Sequence, residues 1–295
     1  MTRACADPVA ARRNPAMLAT RVLTAVVLIP LVLAALFLLP PLGWGAVSLV
    51  AIVVAATEWA SLAGYRKPMW LLFVGGTFLL GVNLLVSPSS GFAQGWPAGV
   101  VLAVCGAATI FWLVVAPPWL ALRWKAGSSL SMAIAGWVIL IGAWVAVVEL
   151  QARSPWLLLA AMALVWIADT AAYFAGRAFG KHPLAPAVSP GKTWEGVYGA
   201  LAAVAIYALA LVPLAAASGF AGKISPIAIL VWVGLALALA AVSIVGDLYE
   251  SLLKRHAGVK DSGRVLPGHG GVLDRVDALL AAMPVAALLA LAFLR

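Results

Sequence analysis

Nine long apolar runs separated by short polar connectors outline this chain. They fall near residues 22–40, 44–64, 68–87, 97–117, 129–149, 155–176, 196–216, 226–246 and 277–294. Each comes close to the roughly 20 residues that a helix needs to cross a hydrocarbon layer. The runs are continuous rather than alternating, and only helices or closed barrels satisfy their backbone groups in lipid, so the pattern predicts helical spans. The expected fold is all-α, a polytopic bundle of about nine transmembrane helices. Connectors such as Ser87-Pro-Ser-Ser-Gly91 read as turns. Two others, 177–195 and 247–276, are longer and more polar. The organisation read from this is a basic segment over 1–21, helices 1–5 over 22–150, and a catalytic region over 151–295 that holds helices 6–9 and both loops.

Composition and charge sharpen that outline. With 65% hydrophobic residues, a mean hydropathy of +1.08 and 13 Trp in 295 residues, the chain carries more apolar surface than one soluble core can bury. All of its 19 Lys and Arg except Arg153, Lys223 and Arg295 fall on the same side as the N-terminus when the nine spans alternate. Basic residues gather on the cytoplasmic side, so the N-terminus and both polar loops are expected there. The net charge of +9 is thus a cytoplasmic feature and implies no nucleic-acid partner. The first apolar run is too long for a signal peptide and lacks a small-x-small cleavage site, which predicts a retained first helix. Cys5 and Cys105 are far apart, and neither a disulfide framework nor a zinc site is expected.

The sixth span ends Asp169-Thr-Ala-Ala-Tyr-Phe-Ala-Gly-Arg177. Asp169 lies about two turns inside the membrane edge, on one face with Tyr173 and either Gly176 or Arg177. An ionisable group at that depth faces a polar cavity or pairs with a neighbour such as Arg177. In the following loop, Gly191-Lys-Thr193 suggests a P-loop, but Pro186 stands where that motif requires glycine, and no preceding strand is expected. Ser189-Pro190 instead reads as an N-cap with proline at the first helical position. Lys192 and Thr193 would then occupy a first turn whose free N–H groups favour anions. Lys192 either meets a phosphate there or is one more basic residue on the cytoplasmic side.

Half of the ten acidic residues lie at 247–277. Asp247 ends the eighth span and shares a helical face with Glu250 and Lys254, while Asp274 and Asp277 begin the ninth. Carboxylates from two neighbouring helix ends at a water-accessible edge supply the oxygen ligands that Mg2+ takes, with room for waters and substrate phosphates. The surrounding Lys254, Arg255, Lys260 and Arg275 suit the remaining phosphate charge. Leu266-Pro-Gly-His-Gly-Gly271 supplies flexible backbone N–H groups, a nest in which Gly270 and Gly271 face phosphate, and His269 is a proton carrier or phosphate donor.

These residues resemble a known family. Ser251-x-Leu253-Lys254-Arg255, four residues, Lys260-Asp261-x-Gly263, then Leu266-Pro267-x-His269-Gly270-Gly271-Val272-x-Asp274-Arg275-Val276-Asp277 is similar, without a gap, to the signature of phosphatidate cytidylyltransferases, the CDP-diacylglycerol synthases. Asp169-Thr-Ala-Ala-Tyr-Phe-x-Gly-Arg177 and Ser189-Pro-Gly-Lys-Thr-Trp-Glu-Gly196 also resemble it. The first five spans carry little that is diagnostic. The resemblance implies transfer of a cytidylyl group from CTP to phosphatidic acid at the cytoplasmic face of a bacterial inner membrane, and a homodimer. It further implies Asp247, Asp274 and Asp277 as Mg2+ ligands, with a second cation left open, and Asp169 and Lys192 as catalytic beside them. Lys192, Lys254 and Arg255 would contact phosphates, with Ser189, Thr193, Lys260, His269, Gly270, Gly271 and Arg275 around them. Two other readings are a CTP-dependent polyprenol kinase and an ion-coupled transporter using Asp169; the clustering of polar groups at one membrane face, rather than the midplane, disfavours the transporter.

Overall fold

A computed structural model describes residues 15–124, 129–217, 225–265 and 267–293, the side chains of residues 15–23, 25, 90 and 215–217 aside. Most of the basic segment 1–21, together with Cys5, Lys125, Lys223, Leu266 and Arg295, therefore lies outside the described residues. The helices are α1 (Pro15–Leu38), α2 (Pro41–Leu62), α3 (Lys67–Val86), α4 (Ala98–Ile110), α5 (Ala116–Leu122), α6 (Ser129–Arg153), α7 (Pro155–Phe179), α8 (Trp194–Ala217), α9 (Pro226–His256) and α10 (Leu273–Phe293). Among the described residues every predicted run is helical over most of its length. Among the described residues eight helices are long and apolar enough to cross a membrane, with α4 and α5 counted as one; α1 adds a shorter apolar stretch, Val26–Leu38.

α4 and α5 are joined through a π-helical segment, Phe111–Val115, in which the Ala116 N–H reaches back to the Phe111 carbonyl. Pro117 and Pro118 follow directly. Neither carries an N–H, so the ordinary ladder cannot run through them and the widened turn absorbs the fault. The bulge delivers Phe111, Trp112 and Trp119 onto Tyr249 of α9, with ring centroids 5.5, 5.5 and 5.6 Å away. Trp112 also donates its indole N–H to the Leu280 carbonyl of α10 at 3.0 Å. Aromatic packing thus fixes the end of α9 against α4, α5 and α10.

α6 is the most buried helix and packs against α10, α2 and α4. Indole hydrogen bonds stitch these crossings: Trp59 to the Met132 carbonyl at 3.1 Å, Trp144 to Gly45 at 3.1 Å. At the end of the bundle away from the polar loops, Glu149 accepts from Arg153 at 3.0 Å and from the Trp96 N–H at 3.2 Å. α7 crosses α8 closely, because a Cβ at Gly196 would lie 2.9 Å from the Ala172 carbonyl oxygen. Small residues let two backbones approach in this way.

The 177–195 connector departs from expectation. Ser189 and Pro190 do not start a helix; they lie in a strand, β2 (Ser189–Thr193), which pairs antiparallel with β1 (Pro183–Ala185). Strands are thus present where none was expected, although β2 runs through Gly191-Lys-Thr193 itself and forms no P-loop turn. The helix begins at Trp194, and Thr193 caps it by accepting from the Gly196 N–H at 3.2 Å. Pairing Pro183 with Thr193 and Ala185 with Ser189 outweighs the local Ser-Pro signal. Lys192 and Thr193 therefore sit on an extended hairpin arm, not in a first helical turn.

Candidate active site

α9 has 31 residues, and at about 1.5 Å per residue it overshoots a hydrocarbon layer of about 30 Å by roughly ten residues. That overhang carries Asp247, Glu250, Lys254 and Arg255 beyond the apolar run and toward the α10 N-terminus. Gly246 is what lets the two helices meet there: a Cβ on it would lie 2.7 Å from both the Asp277 carbonyl oxygen and Ala281 Cβ. Asp277 consequently lies within electrostatic reach of Asp247, and also of Lys192 and Lys254. Asp169 on α7 is within reach of Asp247 and Lys192. Carboxylates from α7, α9 and α10 thus share one neighbourhood, with Lys192 from the hairpin among them.

Two lysines organise this charge. Lys192 makes an ion pair with Asp247, tying β2 to α9. Lys254 is held between Glu250, one turn back on α9, and Asp274 of α10, at 2.7 Å from Oδ1 of the latter. The second oxygen of Asp274 accepts the backbone N–H groups of Ser262 and Gly271, both at 2.9 Å. Asp274, in the first turn of α10, is therefore an anchor for the preceding loop as well as an ion-pair partner, and a negative charge is favoured there by the helix dipole.

Other residues singled out in the sequence take varied places. Arg255 donates to the Val188 carbonyl at 3.3 Å, fastening the hairpin turn to α9. Arg275 donates twice to the His269 carbonyl, at 2.9 and 2.6 Å, and so shapes the Gly-rich turn. The φ angles of Gly268 and Gly270 are +74° and +84°, which side-chain-bearing residues rarely adopt. His269 is half-buried beside them, and Lys260 is exposed on the preceding loop. Arg177 donates to the Tyr173 hydroxyl at 3.2 Å. The electrostatic neighbours of Asp169 are Asp247 and Lys192, and among the described residues no salt bridge joins it to Arg177.

One residue had not been expected. Glu58, near the end of α2 and 4% exposed, accepts from the N–H groups of Val272 at 2.9 Å and Leu273 at 2.7 Å, and from the Ser262 hydroxyl at 3.0 Å. Its signal in the sequence was an acidic residue inside an apolar run, Ala55-Ala-Thr-Glu-Trp-Ala-Ser61, which is costly unless it has polar partners.

Among the described residues, no three His, Cys, Asp or Glu side chains stand close enough to cage a cation unaided. The donor set still suits a hard ion whose shell is completed by water and phosphate oxygens, because neighbouring carboxylates outnumber the lysines set between them. As a whole, the cluster offers carboxylates and two lysines beside a Gly-rich turn at one end of the bundle, a set suited to binding polyphosphate next to lipid.

Comparison with known proteins agrees with that chemistry. The family model described as "Cytidylyltransferase family" matches residues 19–293. A phosphatidate cytidylyltransferase of Pseudomonas aeruginosa is 41% identical over 285 residues, covering 92% of this chain and 97% of the relative. One of Haemophilus influenzae is 38% identical over 289 residues, covering 91% and 96%. One of Brucella suis is 54% identical over 120 residues, 41% of each chain. With nearly its whole length matched, the chain belongs to the cytidylyltransferase family.

Proposed function

We propose that this protein is a phosphatidate cytidylyltransferase, converting CTP and phosphatidic acid to CDP-diacylglycerol and pyrophosphate in a bacterial membrane. The observation that carries the reading is the joining of Lys192–Asp247 and Lys254–Asp274 ion pairs around Asp277 at the meeting of α9 and α10. An oxygen of the lipid phosphate attacks the α-phosphorus of CTP, a new P–O bond forms, and the bond to the β-phosphate breaks with departure of pyrophosphate. The nucleophile is already an anion, so no general base is required. The protein positions the two substrates in line and neutralises their charge.

Each group has a part in that task. Lys192 exchanges Asp247 for a triphosphate oxygen when nucleotide arrives, and Lys254, steered by Glu250 and Asp274, presents its ammonium to the same chain of phosphates. The Gly270 N–H faces the leaving pyrophosphate while that of Gly271 holds Asp274, and Arg275 holds the turn through the His269 carbonyl. Asp169 closes the cluster from α7 and orients Lys192. Asp247, Asp274 and Asp277 would hold Mg2+, which supplies charge neutralisation on the phosphate oxygens. Location of the cluster at the end richest in Lys and Arg supports a cytoplasmic site, and the family resemblance supports a homodimer.

The test is conversion of labelled CTP to a lipid-soluble product by purified protein in vesicles. Phosphatidic acid should yield CDP-lipid with equimolar pyrophosphate, and a long-chain polyprenol should yield no phosphorylated product. The opposite pattern would make the protein a polyprenol kinase.

A further inference from the structure

Glu58 stands apart from the cluster that would bind substrate, yet it touches the segment that builds it. Its carboxylate takes three donors from residues more than 200 positions away: the Ser262 hydroxyl and the Val272 and Leu273 N–H groups. Among the described residues, no Lys or Arg makes a salt bridge with it. A buried carboxylate without a cation needs such donors and the favourable end of a helix dipole, and here both come from the start of α10. The loop leaves space for it. A Cβ at Gly263 would lie 2.5 Å from Glu58 Oε1, and one at Gly271 would lie 2.5 Å from Oε2.

The residues gripped by Glu58 are also those that hold Asp274. Ser262 gives its hydroxyl to Glu58 and its N–H to Asp274, and the N–H of Gly271, next to Val272, goes to Asp274 as well. Two carboxylates, one from α2 and one from α10, thus clasp the loop between Ser262 and Leu273. Released from Glu58, Ser262 and the Gly270–Gly271 turn lose one of the two anchors that set the direction of Asp274 and, through it, of Lys254.

We propose that Glu58 is a positioning residue for nucleotidyl transfer, acting through Ser262 and the start of α10 to hold Asp274 and the Gly270–Gly271 turn in their working geometry. This rests on the reading of residues 254–277 as the nucleotide site. The test is steady-state kinetics of the full-length Glu58→Gln variant in detergent, varying CTP, Mg2+ and phosphatidate separately, with a thermal melt alongside. Glutamine keeps the volume but turns a donor toward N–H groups that are themselves donors. The KM for CTP and the Mg2+ concentration at half-maximal rate should rise about tenfold or more, as for loss of a group that orients ligands, with the phosphatidate KM unchanged. Wild-type constants in the variant overturn the proposal, as does activity lost only in proportion to folded protein.

If Glu58→Gln does not accumulate, Ser262→Ala reads the same clasp while keeping the carboxylate. It should raise the KM for CTP about threefold, the worth of one hydrogen bond, and an unchanged value overturns the proposal. Asp274→Asn, run in parallel, separates the two levels. Full activity there sinks the site itself and the positioning role with it, whereas an inactive Asp274→Asn beside an unaltered Glu58→Gln sinks the positioning role alone.

Discussion

Lys192 is a single ammonium with three neighbouring carboxylates, in an ion pair with Asp247 and within electrostatic reach of Asp169 and Asp277. Removing it strips the cluster of a positive charge and the nucleotide of a clamp. Lys192→Ala should lower kcat/KM for CTP about 100-fold, the scale of losing one preorganised charge-stabilising donor, and Lys192→Arg should not restore it, since a planar fork cannot replace a compact ammonium. Unchanged efficiency in Lys192→Ala would reduce the residue to one more basic side chain at this end of the bundle. Asp274→Asn should abolish turnover while the protein still inserts into the membrane, checked by CDP-lipid formation and by yield in the membrane fraction. Asp274 was readable from the chain because acidic residues at helix ends are rare in so apolar a sequence, and Lys192 because it stands in the motif at 189–196 that resembles the family. Glu58 was marked only as an acidic residue inside an apolar run; its role was not legible, since its partners are more than 200 residues distant and no local pattern joins them.

Among elements, the apolar runs foretold the helices because hydrophobicity is continuous along each of them. The hairpin was hidden: Ser189-Pro190 looks locally like a helix start, and only the pairing of Ala185 with Ser189 and Pro183 with Thr193 says otherwise. The π segment was equally hidden, although Pro117 and Pro118 mark the place where an ordinary ladder must fail. Two predictions belong at this scale. Trp112→Ala, which removes a buried indole wedged against Tyr249 and bonded to Leu280, should destabilise the fold by about 3–5 kcal/mol in a detergent melt. Gly246→Leu should push α9 away from α10 at Asp277, costing about 1–3 kcal/mol by overpacking and abolishing turnover beyond what the stability loss explains. A fully active Gly246→Leu would show that close approach of those helices is dispensable.

The whole molecule is an asymmetric bundle. One end is tied by Glu149, Arg153 and Trp96 into a structural network. The opposite end gathers the hairpin, the α9 overhang and the Gly-rich loop, with α2 reaching in through Glu58. Thr24 on α1 also meets this loop, donating to the Pro267 carbonyl at 3.1 Å. The amino-terminal helices are therefore more than a membrane anchor, since α1 and α2 both touch the segment that carries the family signature. Their contribution was illegible in the sequence for a physical reason: hydropathy records that a helix is buried, not which loop it faces.

The central claim is that carboxylates of α9 and α10 work together with Mg2+ on a nucleotide and a lipid phosphate. Its most direct test is the rate of pyrophosphate release from CTP and phosphatidate as Mg2+ is titrated, for the wild-type protein and Asp247→Asn. The wild-type rate should rise with Mg2+ from zero in chelator and require phosphatidate, and Asp247→Asn should stay silent throughout the titration. Release that persists in chelator, or an Asp247→Asn rate equal to wild type, would contradict it.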